Sequence, residues 1–265
     1  SPDNPPWSIW AAIGVWFASV LFIILLPNLF VLPYLAKQTF NLADAEKLKE
    51  FAQSDPTAIM LQLGAVIPAH LLTILLGWLV VTSFRKYSFK EMLGWEWNGF
   101  KIWHSIVIFV FFYLVALSLI TIFGDVENDF ERMLKNSRLA VYFVAFFATF
   151  TAPLVEEMVY RGLLYSAFQR KFGVSLAVVF VTLLFTLVHV PQYSLNQVPD
   201  YASVITILLL SLTLTLIRVR TNNLLPCIVL HTVFNGIQSA LLVAEPYLRQ
   251  LVTEPQAQPA FFFLK

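Results

Sequence analysis

The sequence predicts an all-α fold, a polytopic transmembrane helical bundle of seven or eight spans. Three observations carry that expectation. Hydrophobic residues make up 58% of the 265 and charged residues 12%, with a mean hydropathy of +0.74. Soluble domains run near 45–50% apolar and about 25% charged. Apolar runs long enough to cross a bilayer recur along the chain between short polar connections. The 25 Phe and seven Trp suit lipid-facing surfaces and interfacial belts. Residues 1–265 are expected to form a single membrane domain.

The elements follow in order. Ser1–Trp7 is polar and Pro-rich, with Trp7 and Trp10 read as interface anchors. Span one covers Ser8–Leu32, with Pro27 a kink or exit. Phe40–Gln53 places Leu42, Ala45, Leu48 and Ala52 at helical spacing and predicts a short surface helix. Span two covers Thr57–Phe84. The connection Arg85–Lys101 holds Trp95 and Trp97 at headgroup level, and span three is Ile102–Phe123. In the acidic loop Gly124–Ser137, Val126, Phe130, Met133 and Leu134 make a stripe suited to lying on the membrane. Span four can run from Arg138 to Phe168, about 46 Å of helix, so Pro153 is expected to divide it. Span five is Val174–Val190, followed by the uncharged linker Pro191–Pro199. Span six, Ala202–Ile217, is closed by Arg218 and Arg220. Span seven is Leu224–Ala244, and a tail ends in Phe261-Phe262-Phe263-Leu264-Lys265.

Lys and Arg divide evenly between the two sides of a seven-span chain. The basic pairs abut the helix ends more closely on the N-terminal side, which favours a cytoplasmic N-terminus. A bacterial cytoplasmic membrane is the expected setting. The net charge of +1, with no basic stretch interleaved with aromatics, gives no footprint for nucleic acid. The single cysteine, Cys227, excludes an internal disulfide and a Cys-rich metal site.

One stretch does not belong in such a chain unless it has work to do. Glu156-Glu157-Met158-Val159-Tyr160-Arg161 follows the uncharged run Leu139–Val155, and the next charge is Arg170. Three ionisable groups in the membrane cost roughly 8–10 kcal/mol before pairing. Glu157 and Arg161 stand i,i+4 in the favourable order and read as a structural ion pair. Glu156 is about 100° round the helix and has no basic partner at i±3 or i±4.

Two later spans also carry polar groups at i,i+4 spacing: Phe185 with His189, and His231 with Asn235. A Glu and a His that reach one water can take its proton and pass it on, and a nearby His and Asn can donate to an oxyanion. Burial would raise the pKa of such a carboxyl towards a useful general base. Glu156-Glu157-x-x-x-Arg161, Phe185-x-x-x-His189 and His231-x-x-x-Asn235 resemble, in order, the three motifs of the CAAX-type prenyl endopeptidases and bacteriocin-processing proteins, a family of intramembrane proteases. The resemblance covers residues 138–244, the motif-bearing core.

The resemblance implies a glutamate-dependent endopeptidase acting on a membrane-embedded or lipidated peptide. Glu156 would activate water with His189. His231 and Asn235 would stabilise the oxyanion. Glu157 and Arg161 would hold the helix, with Phe185 packing beside the site. It also allows a non-catalytic member that serves as a structural or assembly subunit of a larger membrane complex. No cofactor is expected. Two His and a Glu are zinc-type ligands, yet the sequence has no His-Glu-x-x-His. Outside the motifs, His104 sits at a span end. His70 lies inside span two, suited to a hydrogen bond between helices or, more sharply, to axial ligation of a pigment such as haem or chlorophyll.

Overall fold

The computed structural model describes residues 1–38, 45–124, 128–195 and 198–251. These residues are helical apart from turns and one antiparallel pair, Ser194–Leu195 on Val198–Pro199. The helices are α1 (Ile9–Leu35), α2 (Ala45–Ser54), α3 (Pro56–Gly64), α4 (Val66–Thr82), α5 (Phe89–Leu93), α6 (Ile102–Phe123), α7 (Asp129–Asn136), α8 (Arg138–Phe172), α9 (Val174–His189), α10 (Tyr201–Thr221) and α11 (Leu225–Leu251).

Among the described residues, six helical segments are long and apolar enough to cross a membrane: α1, α3 with α4, α6, α8, α10 and α11. The chain is an integral membrane protein. The expected fifth span is α9, an apolar helix of only 16 residues, about 24 Å long against the roughly 30 Å hydrocarbon core. Large apolar side chains such as Leu71, Phe150 and Ile122 remain exposed, as lipid-facing positions should.

The packed centre is built on α8. Met158, Val159, Tyr160, Leu163, Leu164, Tyr165 and Phe168 bury themselves against Ala12 and Val15 of α1, Val81 of α4, and Ala177, Val181 and Phe185 of α9. Pro153 does not divide this helix. A π turn at Phe147–Thr151 precedes it, with the Ala152 N–H donating to Phe147 O. Proline lacks an N–H and crowds the carbonyl four residues back; a local π register accommodates both. A second π turn, Met158–Leu164, closes with the Tyr165 N–H on Tyr160 O.

Carbonyls in the two π turns serve other parts of the chain. Ala148 O accepts from Asn235 Nδ2 at 2.9 Å, Leu163 O from Trp7 Nε1 at 3.1 Å, and Arg161 O from Arg218 Nε at 3.3 Å. Backbone polar groups at membrane depth must be met inside the protein, and these side chains meet them. Trp7 is therefore buried rather than an interface anchor, and Arg218, in the last turn of α10 with Arg220 as expected, is buried as well.

Two further expectations change. The stripe of the acidic loop turns inward: Leu134 is buried with Ile59, Val141 and Leu242, and Phe130 and Met133 pack against that cluster. Val126 lies outside the described residues, as do residues 40–44 of the expected surface helix and the aromatic tail. α1 continues to Leu35 with both Pro27 and Pro33 inside it.

The α5 end is fastened under the α10–α11 turn. Gly94 has φ +78°, and its carbonyl accepts from the Leu224 N–H at 2.8 Å. A Cβ there would stand 2.8 Å from Asn222 O and 2.8 Å from Asn223 Cα. Strained backbone and overpacking each cost about 1–3 kcal/mol, so Gly94→Ala should lower stability by at least about 2 kcal/mol. Denaturant unfolding of the purified protein measures this, and an unchanged midpoint would refute it.

Candidate active site

α8 delivers both glutamates, and their surroundings differ sharply. The Glu157 side chain is fully buried, whereas that of Glu156 keeps 25% of its surface open. Glu156 opens on a cavity of about 400 Å³ enclosed by α1, α4, α8, α9, α10 and α11. Tyr160, Phe185, His189, His231 and Asn235 line the same space. All three motifs thus converge on one chamber.

Glu157 Oε1 accepts from Arg161 Nη1 at 2.9 Å, as the i,i+4 spacing predicts. Arg161 is itself fully buried and spends its other donors on α10. Nη2 reaches Ser211 O and Ser211 Oγ, each at 2.8 Å, and Nε reaches Thr215 Oγ1 at 3.3 Å. Its guanidinium lies over the Phe185 ring, 4.6 Å from the centroid. Phe185 therefore stacks on the ion pair as well as lining the chamber. Ser211 and Thr215 escape a reading of the sequence because hydroxyls are common in membrane helices, and no spacing ties them to residue 161.

His231 joins the two glutamates. Its Nδ1 lies 2.8 Å from Glu157 Oε1 and its Nε2 lies 3.8 Å from Glu156 Oε2. Since the carboxylate can only accept, Nδ1 carries the proton, and Nε2 is aimed at the chamber beside Glu156. Glu157 is thus more than a partner for Arg161: it fixes the tautomer and ring angle of His231. His189 is set differently. Its Nδ1–H donates to Phe185 O at 2.6 Å and its ring stacks on Phe185 at 4.5 Å, leaving Nε2 as an acceptor at the chamber wall. Asn235 commits one amide hydrogen to Ala148 O and has a second to offer.

Aromatic residues complete the wall. Tyr160 OH accepts from Trp16 Nε1 at 3.1 Å, tying α1 to α8. Beyond α9, burial and then the Glu156 and Asp200 charges push the Tyr193 phenol above its ordinary value, so it remains a neutral donor lining the chamber. His70, from α4, also reaches this cavity and bonds Thr151 on α8, the interhelical hydrogen bond expected of it.

A zinc ion needs three or four donors at about 2.0–2.3 Å. Glu157 Oε1 is engaged twice, and His189 Nδ1 is held by a carbonyl. Among the described residues, no group of three or more His, Cys, Asp or Glu is gathered to hold a metal ion.

Residues 138–237 match the model of the family described as type II CAAX prenyl endopeptidase Rce1-like. The chain carries an Rce1-like domain. That domain runs from the start of α8 into α11 and contains every motif residue from Glu156 to Asn235. The family is one of CAAX-type proteases. α1, α4 and His70 lie outside the Rce1-like segment while forming part of the chamber wall. No curated protein and no solved structure matches the chain.

Proposed function

We propose that this protein is an intramembrane endopeptidase that hydrolyses a peptide bond in a membrane-associated or lipidated peptide, using water activated by Glu156. The observation that carries the reading is the division of labour between adjacent carboxylates: Glu157 is sealed into the Arg161–His231 network while Glu156 faces the chamber. Glu156, with the acceptor Nε2 of His189, takes a proton from water. The hydroxide adds to the scissile carbonyl, and the proton passes to the departing amine as the C–N bond breaks. The second amide hydrogen of Asn235 supplies an oxyanion donor, and His231 adds a second from Nε2 once the imidazole has gained a proton there from chamber water and become an imidazolium held by Glu157 at Nδ1.

The apolar arm of the chamber, lined by Val20, Ile23, Ile24 and Leu63, suits a lipidated or hydrophobic segment. Ile23 and Ile24 are also among the exposed large apolar side chains, which suits an apolar substrate segment. The reading is tested by comparing polypeptide termini in membranes from cells expressing the native protein or Glu156→Ala at equal abundance. Native-specific new termini are expected, and they would identify the substrate. Identical profiles would overturn the protease reading in favour of a subunit of a larger membrane complex.

A further inference from the structure

α11 carries a polar stripe that runs on past the motif residues. His231, Asn235, Gln238 and Ser239 stand at i, i+4, i+7 and i+8, and all four line the chamber. Gln238 lies one residue beyond the Rce1-like segment and belongs to none of the three motifs. It is buried, with 7% of its surface exposed, and Ser239 beside it with 6%. Other polar side chains of the wall are satisfied locally. Thr73 Oγ1 donates to Ala69 O at 2.9 Å, Thr206 Oγ1 to Ala202 O at 2.7 Å and Ser203 Oγ to Asp200 Oδ2 at 2.7 Å. The Gln238 carboxamide has no such partner among the described residues. Nor is it sealed into the core: its polar atoms keep surface open to the chamber.

A carboxamide held out of bulk water without a partner is unfavourable, and an occupant of the chamber can complete it. The surroundings set the chemistry of that occupant. Among the described residues no Lys or Arg lines the chamber, and its one carboxylate is Glu156, so nothing there balances a phosphate or a carboxylate. A hydrocarbon chain offers no hydrogen bond and is better matched by Val20, Ile23, Ile24 and Leu63. A primary carboxamide both donates and accepts, which complements the N–H and C=O of a peptide main chain. Either way round of the amide serves, so the assignment of its O and N does not matter. Gln238 is seven residues on from His231, about 10 Å along the helix. A peptide lying along the stripe covers that distance in about three extended residues.

We infer that the Gln238 carboxamide hydrogen-bonds the main chain of the bound peptide about three residues from the cut bond. This rests on the endopeptidase reading. Gln238 binds substrate and sets its register against Glu156, taking no part in the proton transfers.

The test uses purified full-length protein in proteoliposomes and one S-prenylated peptide whose cut site is mapped by mass. Main-chain amides within about four residues of the cut, on either side, are replaced singly by esters, which lack the N–H and accept more weakly. For the native protein, one ester about three residues from the cut should lower kcat/KM about fivefold, the effect of one hydrogen bond. Gln238→Met keeps the length and removes the carboxamide. It should lower kcat/KM for the all-amide peptide by a similar factor and lose nothing further with that ester. Its unfolding midpoint should match the native one, because no partner inside the protein is lost. Native cleavage indifferent to every ester away from the cut would overturn the inference, and so would a variant that keeps the native ester profile. Failure of both Gln238→Met and Gln238→Leu to fold would overturn it as well, by making the carboxamide a structural group. If the native protein cleaves the all-amide peptide no faster than Glu156→Gln does, the endopeptidase reading falls and takes this inference with it.

Discussion

Arg161→Met should lower the stability of the folded protein by about 3–5 kcal/mol, the usual cost of leaving one member of a buried ion pair uncompensated. That is a large share of the roughly 5–15 kcal/mol that holds an ordinary domain together. The reason is local. Glu157 and Arg161 are both fully buried, and Arg161 alone joins the α8 carboxylate to Ser211 and Thr215 of α10. Methionine fills much of the space and supplies none of the donors. Lysine would keep the charge but not the fork that reaches Glu157 and Ser211 together, so Arg161→Lys should recover only part of the loss. Adding Glu157→Gln to Arg161→Met removes the stranded charge and should restore some stability, giving a favourable coupling in a double-mutant cycle. Unfolding midpoints of the four proteins in one detergent measure the cycle. Strict additivity would show that the pair contributes no mutual energy.

How much of this was legible beforehand divides along a physical line. Local spacing sufficed for the Glu157–Arg161 pair, for the placing of Phe185 with His189 on one face, and for nearly every helix, because 3.6-residue periodicity and apolar length are written in neighbouring residues. The spacing rules were silent where an interaction joins distant segments. No rule relates Glu157 to His231, 74 positions away, or Trp7 to Leu163, 156 away. Pro153 misleads for a different reason: as a helix breaker it argues for two segments, and the π turn before it keeps α8 continuous. Arg218 closes span six as its place after an apolar run predicts, but that place says nothing of its partners. Here it is buried against Tyr165, with Ser166 Oγ, Asn222 Oδ1 and Arg161 O as acceptors. The amphipathic α7 had the right pattern and the wrong partner, since a stripe cannot say whether lipid or protein will cover it.

Glu156→Gln should reduce the rate of peptide cleavage by at least about 10³-fold, within the usual range for removing a general base, while leaving the protein as stable as the native form. Both halves follow from where the side chain sits. Glutamine keeps the length and one acceptor but cannot take a proton from water. Because Glu156 lies at the chamber wall with 25% of its side chain open, and its contact with His231 Nε2 is a long 3.8 Å while Glu157 holds that ring at Nδ1, its neutralisation breaks no close hydrogen bond. Glu157→Gln should do the opposite in order of severity. It replaces the carboxylate that Arg161 and His231 share, so stability falls first, and activity falls because His231 loses the acceptor that fixes its tautomer. Single-turnover cleavage and an unfolding midpoint, measured on the same two preparations, separate these outcomes. Adjacent residues one atom apart from glutamine would then show distinct phenotypes: loss of chemistry with the fold intact at 156, and loss of fold together with chemistry at 157. If Glu156→Gln retained full cleavage, the proton would have to go elsewhere, and the assignment of Glu156 as the base would be wrong. If both variants lost activity only in proportion to lost stability, the polar network would be architectural. Catalysis requires the two properties to come apart at Glu156, because its exposure to the chamber is what distinguishes it from its neighbour.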